Sequence, residues 1–182
     1  AVRYNGTPYG VPLSVEPPIL MCNKTHVAQP PQSIEELMEF VKSGGKLALY
    51  IDMVTNSPFI YSVGGSYYNG TPNALLGERT LQGLRTLAEL YKHAVGNPHD
   101  PEGQFQLFLR GEAHCIIDGP WNLPRLDPAK ISVSIFYNKT LAYVKAAYAL
   151  TDLGVDFVKS LASGAALWKY GYISPYERGG DP

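Results

Sequence analysis

The apolar residues of this 182-residue chain fall into short runs that alternate with helical stretches and turn-forming residues. One run, residues 113–117, is long enough for a single buried strand. Asp118 and Gly119 interrupt the run, and Pro120 stands where the first residue of a helix commonly lies. The pattern therefore puts Trp121 just beyond the carboxyl end of a strand, the edge at which open α/β sheets bind ligands. An indole there is either a stacking surface for a ligand or a core aromatic that caps the sheet.

The rest of the chain alternates between strand and helix patterns. Pro12 interrupts the first long strand and implies an edge strand or a bulge. Ser33 and Glu36 have capping-box spacing, in which Ser33 covers the Glu36 amide and Glu36 reaches back to the cap residue, and Gly44 ends the helix. The predicted strands are residues 9–15, 19–22, 46–52, 113–117 and 131–136. Further helices are predicted at residues 55–61, 73–94 and 140–162, and a shorter helix that carries Phe105, Phe108 and Leu109 is predicted to end at Gly111. This order predicts an α/β fold in which a mixed, mostly parallel sheet is flanked by helices.

Composition and motifs argue against several function classes. The net charge of −1 and the scattered basic residues argue against nucleic-acid binding. No apolar run approaches the roughly 18 residues that a membrane span needs. The four histidines lack metal-ligand spacing, and the chain has neither a glycine-rich phosphate loop nor a Gly-x-Ser-x-Gly motif, so no metal and no cofactor are predicted. The 13 tyrosines offer flat apolar faces with polar tips, which suit sugars and wet interfaces.

The two cysteines, Cys22 and Cys115, each lie in an apolar, strand-like run. If their strands are neighbours, the two can form a disulfide; otherwise both are small buried hydrophobes. The chain has no framework of loop-borne cysteines, and this favours two free, buried thiols.

Two acidic residues stand at strand ends. Glu16 lies at a strand break, where the prolines that follow it hold the backbone open, and Asp52 ends a buried strand. Glu16 is either a solvated loop charge or a group that binds hydroxyls, and Asp52 is a second acidic residue at a strand end. The pair also leaves open a glycosidase that uses two carboxylates, since both residues lie near strand ends.

Four motifs occur in order along the chain. They are residues 1–24 with their Val-Pro-Leu-Ser-Val-Glu segment, a proline-led capped helix at residues 29–37, a glycine pair at residues 64–65, and Gly-Glu at residues 111–112 followed by Asp-Gly-Pro-Trp at residues 118–121. Together they resemble the maltose-binding protein family, the extracytoplasmic solute-binding receptors of sugar ABC importers. The likeness covers residues 1 to about 135.

Receptors of this family have two lobes joined by a hinge, and they clamp the sugar between the lobes. The resemblance implies that residues 1–182 form a single C-terminal lobe of a type II periplasmic-binding-protein fold, with the other lobe absent and the crossing near residues 136–140 shortened. The surface that faced the missing lobe would then be a sticky patch capable of self-association.

The resemblance also implies a set of ligand-binding residues. Glu16 matches a carboxylate that accepts hydrogen bonds from sugar hydroxyls, and Trp121 matches an indole that stacks on a glucosyl ring. Asp52 matches an acidic ligand residue, and Gly119 belongs to the same motif as Trp121. Val54 stands where the family has a stacking aromatic. The aromatics that could replace it are Phe59, Tyr61 and, late in the chain, Trp168.

The implied function is binding of a malto-oligosaccharide-type sugar without chemistry, followed by delivery to ABC permease subunits from a periplasmic or extracellular location. A single lobe encloses its ligand poorly, so the expected affinity is weaker than that of a closed two-lobed receptor. Two alternatives remain open: an extracytoplasmic docking domain that binds no sugar, and the glycosidase. An exposed Trp121 in a groove would favour sugar binding, whereas a Trp121 buried beneath the tail would favour docking.

Overall fold

The computed structural model describes residues 3–5, 7–8, 10–148 and 151–163. The predicted tail at residues 171–180 and Trp168 lie outside the described residues. The strands are β1 (Arg3–Tyr4), β2 (Thr7–Pro8), β3 (Val11–Glu16), β4 (Ile19–Asn23), β5 (Leu47–Ala48), β6 (Ala94–Val95), β7 (Cys115–Asp118), β8 (Ile131–Ser134) and β9 (Tyr143–Ala147). The α-helices are α1 (Ile34–Lys42), α2 (Ser57–Tyr61), α3 (Glu78–Tyr91), α4 (Pro101–Leu109) and α5 (Asp152–Ser163), with 3₁₀ helices at Pro72–Leu76 and Pro120–Arg125.

The chain divides into two compact units. The first, here called the sheet unit, comprises residues 17–119 and 126–141. The second, here called the ribbon unit, lies within residues 1–16, 120–125 and 142–182. No helix among the described residues is long and apolar enough to cross a membrane.

The sheet unit contains a five-stranded sheet in the order β6-β5-β7-β4-β8. β5 pairs parallel with β6 and β7, whereas β4 pairs antiparallel with β7 and β8. The predicted α/β class and mixed sheet are therefore confirmed. Parallel pairing is less dominant than predicted, because β4 runs against both of its neighbours.

The core of the sheet unit is built from the central strands and the helices that cover them. Leu20 and Met21 on β4 and Ile116 on β7 are completely buried, which fits their continuous apolar runs. Leu37 on α1 and Leu90 on α3 are also completely buried. The predicted strand at residues 46–52 contracts to Leu47–Ala48, although the residues up to 50 remain buried.

The helix starts follow the cap signals with two differences. Ser33 Oγ accepts the Glu36 amide at 3.1 Å as predicted, but Glu36 Oε2 accepts the amide of Gln32 at 2.7 Å, one residue before the cap. The predicted helix at residues 73–94 is divided into a 3₁₀ helix and α3. The division falls at Gly77, whose backbone is extended (φ −64°, ψ 139°).

The prediction of two free cysteines is wrong, because Cys22 and Cys115 form a disulfide. The two residues lie directly opposite each other on the antiparallel strands β4 and β7. In the next pair along, the Asn23 amide donates to His114 O at 2.9 Å, so the cysteines occupy a non-hydrogen-bonded position. Opposed Cα atoms approach most closely at such positions, and here they are 4.1 Å apart. The apolar runs of β4 and β7 do not show by themselves that the two strands are neighbours.

The ribbon unit is organised around the antiparallel pair β3 and β9. The prediction of a continuous helix over residues 140–162 is wrong, because residues 143–147 pair with β3 and only Asp152–Ser163 is helical. Tyr143 and Val144 are residue types that favour strands, and pairing with β3 outweighs the helical spacing of the apolar residues. The irregularity predicted from Pro12 is confirmed as a register shift between Pro12 and Ser14.

Candidate functional site

Four polar or aromatic side chains share one face of the β3–β9 ribbon. Ser14 lies opposite Lys145, and Glu16 lies opposite Tyr143. Residues directly opposed in an antiparallel pair share a face, as do residues two apart on one strand. The register therefore groups Ser14, Glu16, Tyr143 and Lys145 on a single face of the ribbon.

Glu16 is the buried charge of this face, with its side chain 1% exposed. Its Oε1 accepts hydrogen bonds from Ser14 Oγ and from the Lys145 ammonium, each at 2.9 Å. Its Oε2 is buried and has no hydrogen-bond partner among the described residues. A buried carboxylate oxygen without a donor is unfavourable, and this oxygen can accept a further hydrogen bond.

Trp121 lies in the 3₁₀ helix Pro120–Arg125, which starts at the proline as predicted and follows β7 directly in the chain. Its indole is partly exposed and is therefore not a fully buried core aromatic. The ring meets Tyr143 edge to face, with centroids 5.6 Å apart and planes at 66°. Glu16 and Trp121 thus flank the same tyrosine, which is 38% exposed.

Asp52 lies in the sheet unit, in the loop between β5 and α2. Its Oδ1 accepts the backbone amides of Val54 and Thr55, each at 2.9 Å. This arrangement is an Asx-type turn, in which the carboxylate fixes the loop that leads into α2. Val54 itself is buried.

Tyrosines surround the Asp52 loop. Tyr67 donates its hydroxyl to Met53 O at 2.9 Å, and Tyr91 donates to Asn56 Oδ1 at 3.0 Å. Burial raises the pKa of Tyr67 to about 12, with smaller contributions from Tyr61, Asp52 and Tyr91. Burial also raises the pKa of Tyr91 to about 12. Both phenols therefore remain neutral hydrogen-bond donors throughout the physiological range.

The aromatics considered as replacements for the residue at position 54 differ in their surroundings. Phe59 is 1% exposed in the core, so its face is covered by protein. Tyr61 is partly exposed and meets Tyr67 edge to face, with centroids 5.7 Å apart. Of the two, only Tyr61 has an accessible surface.

Gly119 is buried at the end of the sheet unit segment that contains β7. Its amide donates to Asp118 Oδ1 at 2.7 Å, and the Tyr50 hydroxyl donates to the same oxygen at 2.8 Å. Asp118 therefore fixes the turn through the Gly119 amide.

Three residues of the ribbon face were not predicted from the sequence: Ser14, Tyr143 and Lys145. Tyr143 and Lys145 were missed because their segment was predicted to be helical. Ser14 could have been found, since it stands two residues before Glu16 and so shares its face of a strand. Within the described residues, no group of three or more His, Cys, Asp or Glu side chains is placed to hold a metal ion.

Of the four predicted ligand-binding residues, Glu16 and Trp121 belong to the ribbon unit, while Asp52 and Gly119 belong to the sheet unit. The family of bacterial extracellular solute-binding proteins matches residues 1–166. The chain belongs to this family. Its members bind solutes and are not enzymes, in agreement with the sequence prediction.

Several relatives of the chain are named for the oligosaccharides that they bind. The maltotriose-binding protein of Pyrococcus abyssi is 25% identical over 144 residues, which are 74% of this chain and 32% of that protein. The galactooligosaccharide-binding protein of Bacillus subtilis is 27% identical over 150 residues, which are 70% of this chain and 35% of that protein. The chain spans about a third of the length of these relatives.

Solved structures of the family share the fold. The maltose–maltodextrin-binding protein of Alicyclobacillus acidocaldarius matches with a TM-score of 0.74 at 21% identity, over 95% of this chain and 55% of that one. A solute-binding protein of Thermotoga lettingae, bound with α-D-tagatose, matches with a TM-score of 0.70 at 16% identity, over 92% of this chain and 53% of that one. The fold described above is thus part of a solute-binding-protein fold.

Proposed function

We propose that this chain carries a carbohydrate-binding surface of an extracytoplasmic solute-binding protein, and that it binds a malto-oligosaccharide-type sugar without altering it. In the ribbon unit, Glu16 accepts hydrogen bonds from sugar hydroxyls and Trp121 stacks on a sugar ring. For Asp52 and Gly119, in the sheet unit, a ligand-binding role stays a prediction from the family resemblance. The bound sugar is then delivered to ABC permease subunits. We also propose that residues 1–182 form part of the C-terminal lobe of a two-lobed receptor.

The observation that carries the proposal is the unpaired oxygen of Glu16 beside an aromatic pair. A sugar presents hydroxyl donors on its rim and an apolar face of C–H groups. Oε2 of Glu16 needs a donor, and the partly exposed rings of Trp121 and Tyr143 lie on the same side of the ribbon unit. A hydroxyl that donates to a carboxylate contributes about 1.5–3 kcal/mol when shielded from water.

The choice of sugar rests on the relatives. Their names include maltotriose-, maltooligosaccharide- and galactooligosaccharide-binding proteins. These ligands are oligosaccharides of hexoses, and two of the three are of the maltodextrin type.

The proposed location is periplasmic or extracellular. One relative, from Streptococcus pneumoniae, is a solute-binding lipoprotein of an ABC transporter. The Cys22–Cys115 disulfide supports an oxidising compartment, because the cytosol keeps most thiols reduced. Self-association through an exposed apolar surface is part of the proposal, and light scattering over a concentration series tests it.

Calorimetric titration of the chain with maltose, maltotriose, longer maltodextrins and a galactooligosaccharide tests sugar binding. We expect saturable binding of at least one maltodextrin. Glu16→Gln should weaken it about 10- to 100-fold, because the variant keeps the shape but loses the charged acceptor. Glu35→Gln is the matched control, since Glu35 is exposed on α1 in the sheet unit. Trp121→Ala should abolish binding, and Trp121→Phe should retain part of it.

Two outcomes would refute the proposal. Absence of binding to every sugar, with a folded chain, would support the docking alternative. Release of shorter sugars during incubation, followed by chromatography, would support the glycosidase alternative.

A further inference from the structure

We propose that Lys145 is a positioning residue of the sugar site, which holds the buried Glu16 carboxylate through Oε1 and leaves its Oε2 for a ligand hydroxyl. This inference rests on the function proposed above. Lys145 lies outside the motifs that resemble the family, and no pattern in its segment predicted a binding residue.

The pairing register of β3 and β9 brings Lys145 into contact with Glu16. Ser14 and Glu16 lie two residues apart on β3, and Tyr143 and Lys145 lie two residues apart on β9. Lys145 is opposite Ser14, so its side chain reaches Glu16 along the diagonal of the same face. The ammonium ends 2.9 Å from Oε1, at the distance of a charge-assisted hydrogen bond.

Charge balance explains why the lysine is needed. The Glu16 side chain is 1% exposed, and the desolvation of a carboxylate at such a site is unfavourable unless a cation and donors compensate. Ser14 supplies a neutral donor, and Lys145 supplies the positive charge. Both act on Oε1.

The consequence is an asymmetric carboxylate. Oε1 has two donors, while Oε2 has none among the described residues. The carboxylate cannot rotate to exchange its oxygens without breaking the contacts of Oε1. Lys145 and Ser14 therefore fix which oxygen is left for the ligand.

Access to Oε2 requires movement of a neighbouring side chain, because Glu16 is enclosed. Tyr143 and Lys145 are on the same face and are 38% and 44% exposed. Both are long side chains with one end in solvent. We expect Tyr143 to shift and admit a hydroxyl donor to Oε2, while the ion pair of Lys145 with Oε1 keeps the carboxylate in place.

The experiment is a titration of the whole chain with the maltodextrin that binds it best, accompanied by thermal unfolding of each variant. Lys145→Met removes the charge and keeps the length of the side chain, and we expect affinity to fall about tenfold or more. Lys145→Arg should restore affinity to within about threefold of the parent, since guanidinium also donates to a carboxylate. Lys159→Met, an exposed lysine on α5 of the same unit, is the matched control and should leave affinity unchanged.

A double-mutant cycle separates positioning from general damage to the fold. If Lys145 acts through Glu16, the Glu16→Gln/Lys145→Met variant should bind no more weakly than Glu16→Gln alone. Additive losses would overturn the inference. Lys145→Gln serves in place of Lys145→Met if the latter does not fold.

The affinities and melting temperatures of the Lys145 variants also test the inference. Parent-like affinity in Lys145→Met, with the parent chain binding sugar, would overturn the inference and leave the proposed function standing. An equal loss in Lys145→Met and Lys145→Arg, in step with the melting temperature, would assign Lys145 a purely structural role. A parent chain that binds no sugar would overturn both proposals.

Discussion

Removal of the Cys22–Cys115 disulfide should lower the stability of the sheet unit substantially. The bond joins the adjacent central strands β4 and β7, and both sulfur-bearing side chains are completely buried. The perturbation is the double variant Cys22→Ala/Cys115→Ala, in which no thiol remains to react. The parent chain treated with dithiothreitol is the matched control, because its thiols still fill the space between the strands.

The expected magnitude follows from the length of chain that the bond closes. The cysteines are 93 residues apart, and the chain-entropy relation gives about 4.6 kcal/mol for a loop of that size at 25 °C. Native disulfides in small secreted domains contribute about 2–5 kcal/mol, so the estimate lies near the upper end of the observed range. The alanine variant should lose slightly more than the reduced parent, because it also gives up apolar contacts in the core.

Urea titrations of the parent, the reduced parent and the double variant measure these differences. We expect the free energy of unfolding to fall by at least about 2 kcal/mol when the bond is absent. Agreement of the oxidised and reduced parent to within about 0.5 kcal/mol would refute the reasoning. That result would mean either that the disulfide does not form or that the unfolded chain is already compact across the same 93 residues.

Three further predictions concern the sheet unit. Ser33→Ala removes the cap of α1 and should reduce the free energy of unfolding by about 1 kcal/mol in a urea titration, with Ser33→Asp close to the parent. Gly83→Ala should lower the melting temperature, because the alanine Cβ would lie 2.5 Å from Phe59 O. Alanine is otherwise the better helix former, so a rise in melting temperature would contradict the packing of α3 on α2. Burial lowers the pKa of His114, with a smaller contribution from the stacked ring of His26. The unfolded chain therefore binds the proton more readily, and the free energy of unfolding should fall as the pH drops through the ordinary histidine range. His114→Gln should reduce this pH dependence, measured by urea titrations at several pH values.

The sequence predicted the sheet unit well where each element carried its own local signal. The cap at Ser33 and the continuous apolar run of β4 each determine local structure through contacts within a few residues. The disulfide was missed because it depends on which strands are neighbours, and local patterns do not report that. The helix predicted over residues 140–162 failed for the same reason, since β9 exists only through its pairing with β3.

The candidate site was predictable only in part, for a related reason. Resemblance to the family indicated Glu16 and Trp121, because both lie within motifs that resemble those of the family. Tyr143 and Lys145 complete the site from a strand far along the chain, and their role depends on the register of β9 against β3. A one-residue slip in that register would move both side chains to the opposite face of the ribbon.

The two acidic residues that sequence analysis treated alike have different physical situations. Asp52 uses Oδ1 to bind two amides of its own loop, so its carboxylate already has a structural task in the absence of any ligand. Glu16 is held through Oε1 by a serine and a lysine, and its Oε2 has no donor among the described residues. The cost of burying Oε2 without a partner is recovered only when a donor arrives, whereas the Asp52 turn gains its hydrogen bonds on folding. The proposed sugar binding would therefore gain more at Glu16 than at Asp52, and we expect its binding free energy to concentrate in the ribbon unit.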